Sequence, residues 1–167
     1  MTLRSTCLEC REASTGRCAR HREPEAAPFE RTTCDCPECV RCCHEQPGSL
    51  AAGEVERIAA YLGKPVAAVL HKFWASPGAL ALKDGVAYRI GTITPQLQRG
   101  RCVFLGEDDR CTIHPVAPAG CALFDTHMQA AEAQPRSQWL VRTQCAPEYQ
   151  SLRRTLPAAT SHKPRGY

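Results

Sequence analysis

The sequence lacks any long run of apolar residues. No window approaches the roughly 18 consecutive apolar residues of a membrane-spanning helix. The first residues, MTLRSTCLEC, contain no stretch like the apolar region of a secretory signal. Aromatic residues are also few, at 6% of the chain. We therefore expect a cytoplasmic protein with no membrane partner, in which something other than large apolar side chains contributes to stability.

The sequence also lacks a strong charge of one sign. The formal net charge is only +4 at pH 7, and each cysteine that binds a metal does so as a thiolate, which lowers that charge further. The basic residues near the C-terminus have no aromatic residues between them on which bases could stack. We therefore expect no nucleic-acid partner, and no glycine-rich phosphate loop indicates a nucleotide cofactor.

Cysteine, in contrast, is abundant, with 12 residues in 167. In a reducing compartment this composition favours metal binding over a disulfide framework. The most concentrated stretch is CDCPECVRCC, residues 34–43, which contains five of the 12 cysteines. Metal ions are therefore the expected ligands.

Patterning divides the chain into three segments. Residues 1–30 form a cysteine- and histidine-bearing segment with a linker, residues 31–156 form the main domain, and residues 157–167 form a basic tail that we expect to be flexible. Apolar residues recur at helical spacing in residues 54–62 and again in residues 66–74. This spacing predicts a pair of packed helices joined by a short loop.

The rest of the main domain contains strand and turn signals. Alternating residues around Asp84-Gly85 predict a β-hairpin. The stretch CVFLGEDDRCTI predicts a second hairpin that turns at residues 106–109 and has Cys102 and Cys111 at its ends. Further helices are predicted at residues 122–133 and 147–156. The predicted fold is a small metal-stapled α+β domain with a helical pair, two short hairpins and cysteine-rich loops.

The N-terminal segment contains two closely spaced ligand pairs. Cys7 and Cys10 form a C-x2-C pair, and Cys18 and His21 form a C-x2-H pair. Such turns let two side chains converge on one ion, and three sulfurs with one imidazole are a common zinc set. We therefore predict a zinc-knuckle-like site, with a tail of scattered thiols or a redox pair as the alternatives.

The central cysteines follow a different pattern. Cys36, Cys39 and Cys42 occur at steps of three residues, the spacing with which bacterial ferredoxins hold three corners of a [4Fe–4S] cluster. The fourth ligand can come from any of the remote cysteines, which are Cys102, Cys111, Cys121 and Cys145.

Cys43 directly follows Cys42, and adjacent side chains in extended or turn backbone point apart. The two are therefore not expected to bind one tetrahedral ion together, and Cys43 indicates a second centre. Without the N-terminal set, nine cysteines remain. Eight would fill two four-ligand sites, and Cys34 is then the expected surplus.

Residues 36–43 have the C-x2-C-x2-C-C spacing, and the blocks PGSLAAGEVERIAAYLG and CVFLGEDDRCTIHPVAPAGC follow it. In these features the chain resembles the YkgJ-type cysteine-cluster family, described as a zinc- or iron-chelating domain. The resemblance implies metal binding by eight cysteines: Cys36, Cys39, Cys42, Cys43, Cys102, Cys111, Cys121 and Cys145. The chain departs from the family at APAGCA, where the family's arginine after the cysteine is missing.

Four further side chains could take part: His44, His114, Asp125 and His127. His44 and His114 can each replace a cysteine as ligand, hydrogen-bond a cluster sulfur or lie on the surface. His114, Asp125 and His127 together would supply the two histidines and one carboxylate of an open non-haem iron site. A surface or helix-face position is the simpler interpretation of each.

Three functions remain open from the sequence. We favour a metalloprotein that holds an iron–sulfur cluster, together with zinc, and exchanges electrons with a redox partner protein. The alternatives are a zinc-stabilised adaptor that binds protein or nucleic acid, with zinc as its only metal, and a metalloenzyme with an open iron site. The sequence does not identify catalytic residues.

Overall fold

The protein is described from a computed structural model that covers residues 27–32, 34–83 and 86–159. The predicted N-terminal site at Cys7, Cys10, Cys18 and His21 lies outside the described residues. The described helices are α1 (Pro37–Glu45), α2 (Glu54–Tyr61), α3 (Val66–Val69), α4 (Ala119–Ala122), α5 (Ala130–Gln144) and α6 (Pro147–Thr155). The described strands are β1 (Phe73–Lys83), β2 (Val86–Pro95), β3 (Leu97–Gln98) and β4 (Arg101–Cys102). The mixed α+β class is confirmed.

The first helix of the predicted pair is confirmed as α2. Its buried face carries Val55, Ile58 and Ala59, which recur at the spacing of one helix face. The second helix is shorter than predicted, because α3 ends at Val69 and a single 3₁₀ turn follows. Phe73 opens β1 instead of closing the helix. The prediction is wrong there because a short apolar run fits helix and strand alike.

β1 and β2 form the hairpin predicted around residues 84 and 85, in antiparallel register from Phe73↔Pro95 to Lys83↔Val86. The register shifts between Ser76 and Ala79, at the stretch Ser76-Pro77-Gly78. Proline lacks an N–H for the ladder, so it is tolerated at such a bulge. Gly78 has φ +76°, and a Cβ there would overlap the Ile90 carbonyl oxygen.

The stretch between Cys102 and Cys111 is a tight turn and not the two-stranded hairpin that was predicted. Cys102 belongs to β4, which pairs with β3, and a single bridge joins Leu105 to Cys111. The backbone N–H of Gly106 donates to the Arg110 carbonyl oxygen at 2.8 Å. The turn is therefore at the predicted place, although the flanking strands are nearly absent.

The C-terminal helices cover one end of the hairpin. α6 is confirmed at its predicted position, whereas α5 begins eight residues after the predicted start at 122, at Ala130. Residues 123–129 form a loop in which the Asp125 carboxylate accepts the His127 N–H at 2.9 Å. Such local bonds compete with helix formation. Ala158 then forms a parallel bridge with Ala75.

The larger of two core clusters lies between α2, the hairpin and α6. Its fully buried members include Leu50, Ile58, Phe73, Ile93 and Ile113. Cys102 belongs to this cluster, and Cys43 and Cys111 pack against it. One side of the candidate metal region is therefore continuous with the apolar core. Among the described residues, no helix is long and apolar enough to cross a membrane.

Candidate metal centre

Helix α1 and its N-cap carry four of the five clustered cysteines: Cys36, Cys39, Cys42 and Cys43. Cys36 is its N-cap, and Pro37 occupies the first turn, where a missing N–H costs nothing. A turn of 3.6 residues puts Cys39 and Cys43 on the same side of the helix, one turn apart, whereas Cys42 lies about 100° around the helix from Cys43. The adjacent cysteines diverge as expected, although the backbone is helical and not extended.

A first set of ligands gathers at the N-terminal end of α1, and we call it the outer group. It consists of Cys34, Cys36, Cys39 and His127, whose ligand atoms all lie within 4.8 Å of one another. The Cys36 sulfur is 3.2 Å from His127 Nε2. Cys34 and His127 are exposed, whereas Cys36 and Cys39 are half-buried. Three thiols and one imidazole are a familiar tetrahedral zinc set.

The outer group stabilises a thiolate at Cys36. The backbone N–H of Cys39, followed by the His127 imidazole, lowers the Cys36 pKa to about 6. The same contact with Cys36 raises the pKa of His127. For Cys34, the backbone N–H of Cys36 lowers the pKa, but hydrogen bonds to the Cys39 and Cys36 sulfurs outweigh it and raise the pKa to about 11. Cys34 and His127 thus act as proton donors to Cys36.

Hydrogen bonds from two directions hold the chain that delivers Cys34. The Thr32 N–H donates to the Ala122 carbonyl oxygen at 2.7 Å. Arg136 Nη1 donates to the Glu30 carbonyl oxygen at 2.7 Å and to the Leu123 carbonyl oxygen at 3.1 Å. The arm of residues 27–32 is therefore held beside the loop that carries His127.

A second set of thiols faces the core, and we call it the inner group: Cys43, Cys102, Cys111 and Cys121. Burial raises the pKa of all four, to about 11 for Cys43 and about 12 for Cys102. Electrostatic repulsion from the other sulfurs adds to the rise for Cys43, Cys102 and Cys121. Cys43 and Cys111 also pack against the core cluster that contains Cys102, so these three residues lie beside the same part of the core. Among the described residues, ligand atoms all within 4.8 Å of one another occur in the outer group and not in the inner group.

Backbone N–H groups affect three of the inner thiols. Gly48 donates to the Cys121 sulfur at 3.2 Å. The N–H groups of Phe104 and Ile113 counter the effect of burial on the pKa of Cys102 and Cys111, respectively. In each of these two cases the donor lies two residues after the cysteine. N–H donors of this kind stabilise thiolates that are bound to a metal.

Gly48 explains how Cys121 reaches the inner group. A Cβ at Gly48 would lie 2.1 Å from the Gly120 carbonyl carbon, and a Cβ at Gly120 would lie 2.4 Å from the Ser49 nitrogen. Two backbone segments therefore meet with no room for side chains. Only glycine permits such an approach.

The outer and inner groups do not include the remaining predicted residues. Cys42 is exposed, and Cys145 is the C-cap of α5. His44 Nε2 lies 3.5 Å from an Asp109 carboxylate oxygen. The structure does not gather His114 and Asp125 with His127 around one point, since the group at His127 contains neither residue.

The sequence does not predict two members of the outer group as ligands of such a site. It predicts Cys34 as the surplus cysteine and places His127 in an open iron site with His114 and Asp125. Because Cys36, Cys39 and Cys42 form a regular triplet, the sequence does not indicate Cys34 as a further ligand, although Cys34-x-Cys36 is itself a close pair. No sequence signal connects His127 to a residue 91 positions away.

Comparisons with known proteins bear on both groups. A family model named CxxCxxCC and described as "Putative zinc- or iron-chelating domain" matches residues 35–146. The matched segment contains the whole inner group, whereas Cys34 of the outer group lies just before it. No curated protein and no solved structure matches the chain.

Proposed function

The chain belongs to the family of zinc- or iron-chelating domains that carry the CxxCxxCC signature, and from this premise we propose a redox function. The inner group would bind an iron–sulfur cluster, which when bound supplies one-electron chemistry. A redox partner protein in the cytoplasm would supply and accept that electron. The location of Cys43, Cys102 and Cys111 at one core cluster, inside the segment that the family model matches, carries the proposal.

The ligand chemistry of the inner group supports this choice. Tetrahedral sites made only of sulfur are typical of zinc and of iron–sulfur clusters. The Gly48 N–H donates to the Cys121 sulfur, and the N–H groups of Phe104 and Ile113 lower the pKa of Cys102 and Cys111 against the effect of burial. N–H hydrogen bonds to sulfur are a means by which proteins tune cluster potentials.

The location of the inner group also suits electron exchange. Cys102 is buried among core residues, whereas Cys43 and Cys111 are half-buried and lie nearer the surface. Beside them, Asp109 pairs with His44 at 3.5 Å and with Arg101 at 3.0 Å. A centre covered on one side and close to a charged surface on the other can meet a partner without exposure of the sulfurs.

Anaerobic purification of the full chain tests the proposal. We expect brown protein that contains iron and acid-labile sulfide and shows an EPR signal in one of its redox states. Cys43→Ser should lose iron and colour, and Cys34→Ser should retain both. Colourless protein with zinc as its only metal would overturn the redox function and leave a zinc-stabilised adaptor.

A further inference from the structure

We infer that the outer group is a separate mononuclear zinc site, in which Cys34, Cys36, Cys39 and His127 bind one ion and tie the N-terminal arm to the 123–129 loop. This site lies outside the function proposed above, because it shares no ligand with the inner group. It also departs from the family's C-x2-C-x2-C spacing, because Cys34 takes the place that the spacing offers to Cys42.

The distances fit a single ion. Bond lengths of about 2.3 Å to sulfur and 2.0–2.1 Å to nitrogen place the ligand atoms of a tetrahedral zinc site roughly 3.5–3.8 Å apart. The four ligand atoms here lie within 4.8 Å of one another, so shifts of about an ångström or less bring them to that spacing. Three sulfurs and one nitrogen complete the coordination and leave no open position, as in structural zinc sites.

A helix start and two polar contacts position the ligands of the outer group. Cys36 and Cys39 sit on the first turn of α1, which Pro37 favours as a helix start. The Thr126 hydroxyl lies 3.3 Å from the Cys39 sulfur. The Asp125 carboxylate accepts the His127 N–H at 2.9 Å, and this hydrogen bond stabilises the turn before His127. Hydrogen bonds to metal-binding sulfurs and rigid ligand loops are the outer-shell features that favour metal affinity.

A bound ion would close a long loop in the chain. Cys34 and His127 are remote in sequence. On the arm side, the site is preceded by hydrogen bonds that involve Arg31, Thr32 and Arg136 and by the packing of Phe29 on Trp139. Because unfolded chains do not hold such ligands together, the binding free energy contributes to folding. We therefore assign the site a structural role, the attachment of the arm.

Zinc content of the full chain tests this assignment. We expect Cys34→Ser and His127→Ala each to lose one zinc per chain relative to the parent protein. The matched controls, Cys42→Ser and His71→Ala, should lose none. Cys42 neighbours the group on α1 without belonging to it, and His71 is an exposed histidine on a distant 3₁₀ turn.

A second measurement keeps the test valid if a variant folds poorly. In cadmium-substituted protein, the outer group should give its own NMR resonance. His127→Cys should keep the metal and move that resonance towards the position of an all-thiolate site. Loss of the metal in Cys42→Ser but not in Cys34→Ser or His127→Ala would overturn the assignment in favour of the triplet spacing.

Failure of this site and failure of the redox function are distinguishable. Cys43→Ser should remove iron and leave the outer cadmium resonance unchanged, whereas Cys34→Ser should do the reverse. Loss of the outer resonance in Cys43→Ser would contradict the separation of the two groups.

Discussion

The hydroxyl of Tyr149 accepts a buried backbone N–H, and its removal in Tyr149→Phe tests how α6 is held on the hairpin. The Ile93 N–H donates to Tyr149 Oη at 2.6 Å, and both residues are at least 96% buried, since their exposed fractions are 0% and 4%. The Ile93 carbonyl oxygen accepts the Leu50 N–H. In an antiparallel strand the N–H and the C=O of one residue point to the same side of the strand. Because the Ile93 C=O bonds to Leu50, the Ile93 N–H also faces away from β1.

The expected cost follows from the buried donor. Phenylalanine has nearly the same shape as tyrosine, so packing is preserved and the N–H loses its acceptor. An unsatisfied buried donor costs about 1–3 kcal/mol. For a chain of this size, that free energy corresponds to a fall in Tm of about 2–12 °C.

Urea unfolding at matched metal content gives the free energy, and Tyr61→Phe is the control because Tyr61 is 48% exposed. We expect Tyr61→Phe to stay within about 0.5 kcal/mol of the parent, as surface substitutions do. The denaturant slope should not change, because neither variant alters the surface exposed on unfolding. Equal stability of the two variants would refute the role of the Tyr149 hydroxyl.

Two further substitutions connect packing to the metal groups. Gly48→Ala would place a Cβ against the Gly120 backbone. We therefore expect a loss of about 1–3 kcal/mol in unfolding free energy and a reduced iron content. Normal values of both quantities would contradict the close backbone contact. Arg136→Met removes the donors to the Glu30 and Leu123 carbonyl oxygens, so competition with a chelator should show weaker zinc binding at the outer group. Unchanged zinc affinity would show that the Arg136 hydrogen bonds do not contribute to positioning Cys34.

Local patterns predicted several elements correctly. The apolar face of α2 and the alternation around residues 84 and 85 are short-range signals, and the structure contains both elements. Pro147 correctly marked the start of α6. Each of these signals depends on residues within one or two turns of one another, and sequence displays that information directly.

Other elements were decided by competition between local preferences and packing. Phe73 fits a helix pattern, but it pairs with Pro95 and packs against Phe104 in the core. The late start of α5 follows from the Asp125 turn, which satisfies the His127 N–H outside a helix. The apolar pattern alone does not reveal which of two locally acceptable conformations gains the better contacts.

The sequence by itself determined the chemistry: many thiols, no large apolar segment to replace them, and a spacing that places Cys42 and Cys43 in different directions. The tertiary structure decided the partition of those thiols. It placed Cys34 and His127 with Cys36 and Cys39, and it packed Cys43 and Cys111 against the core cluster that contains Cys102. The physical reason is that ligand spacing along a helix is a local property, whereas the partner of each ligand depends on which distant segments the core packs beside it.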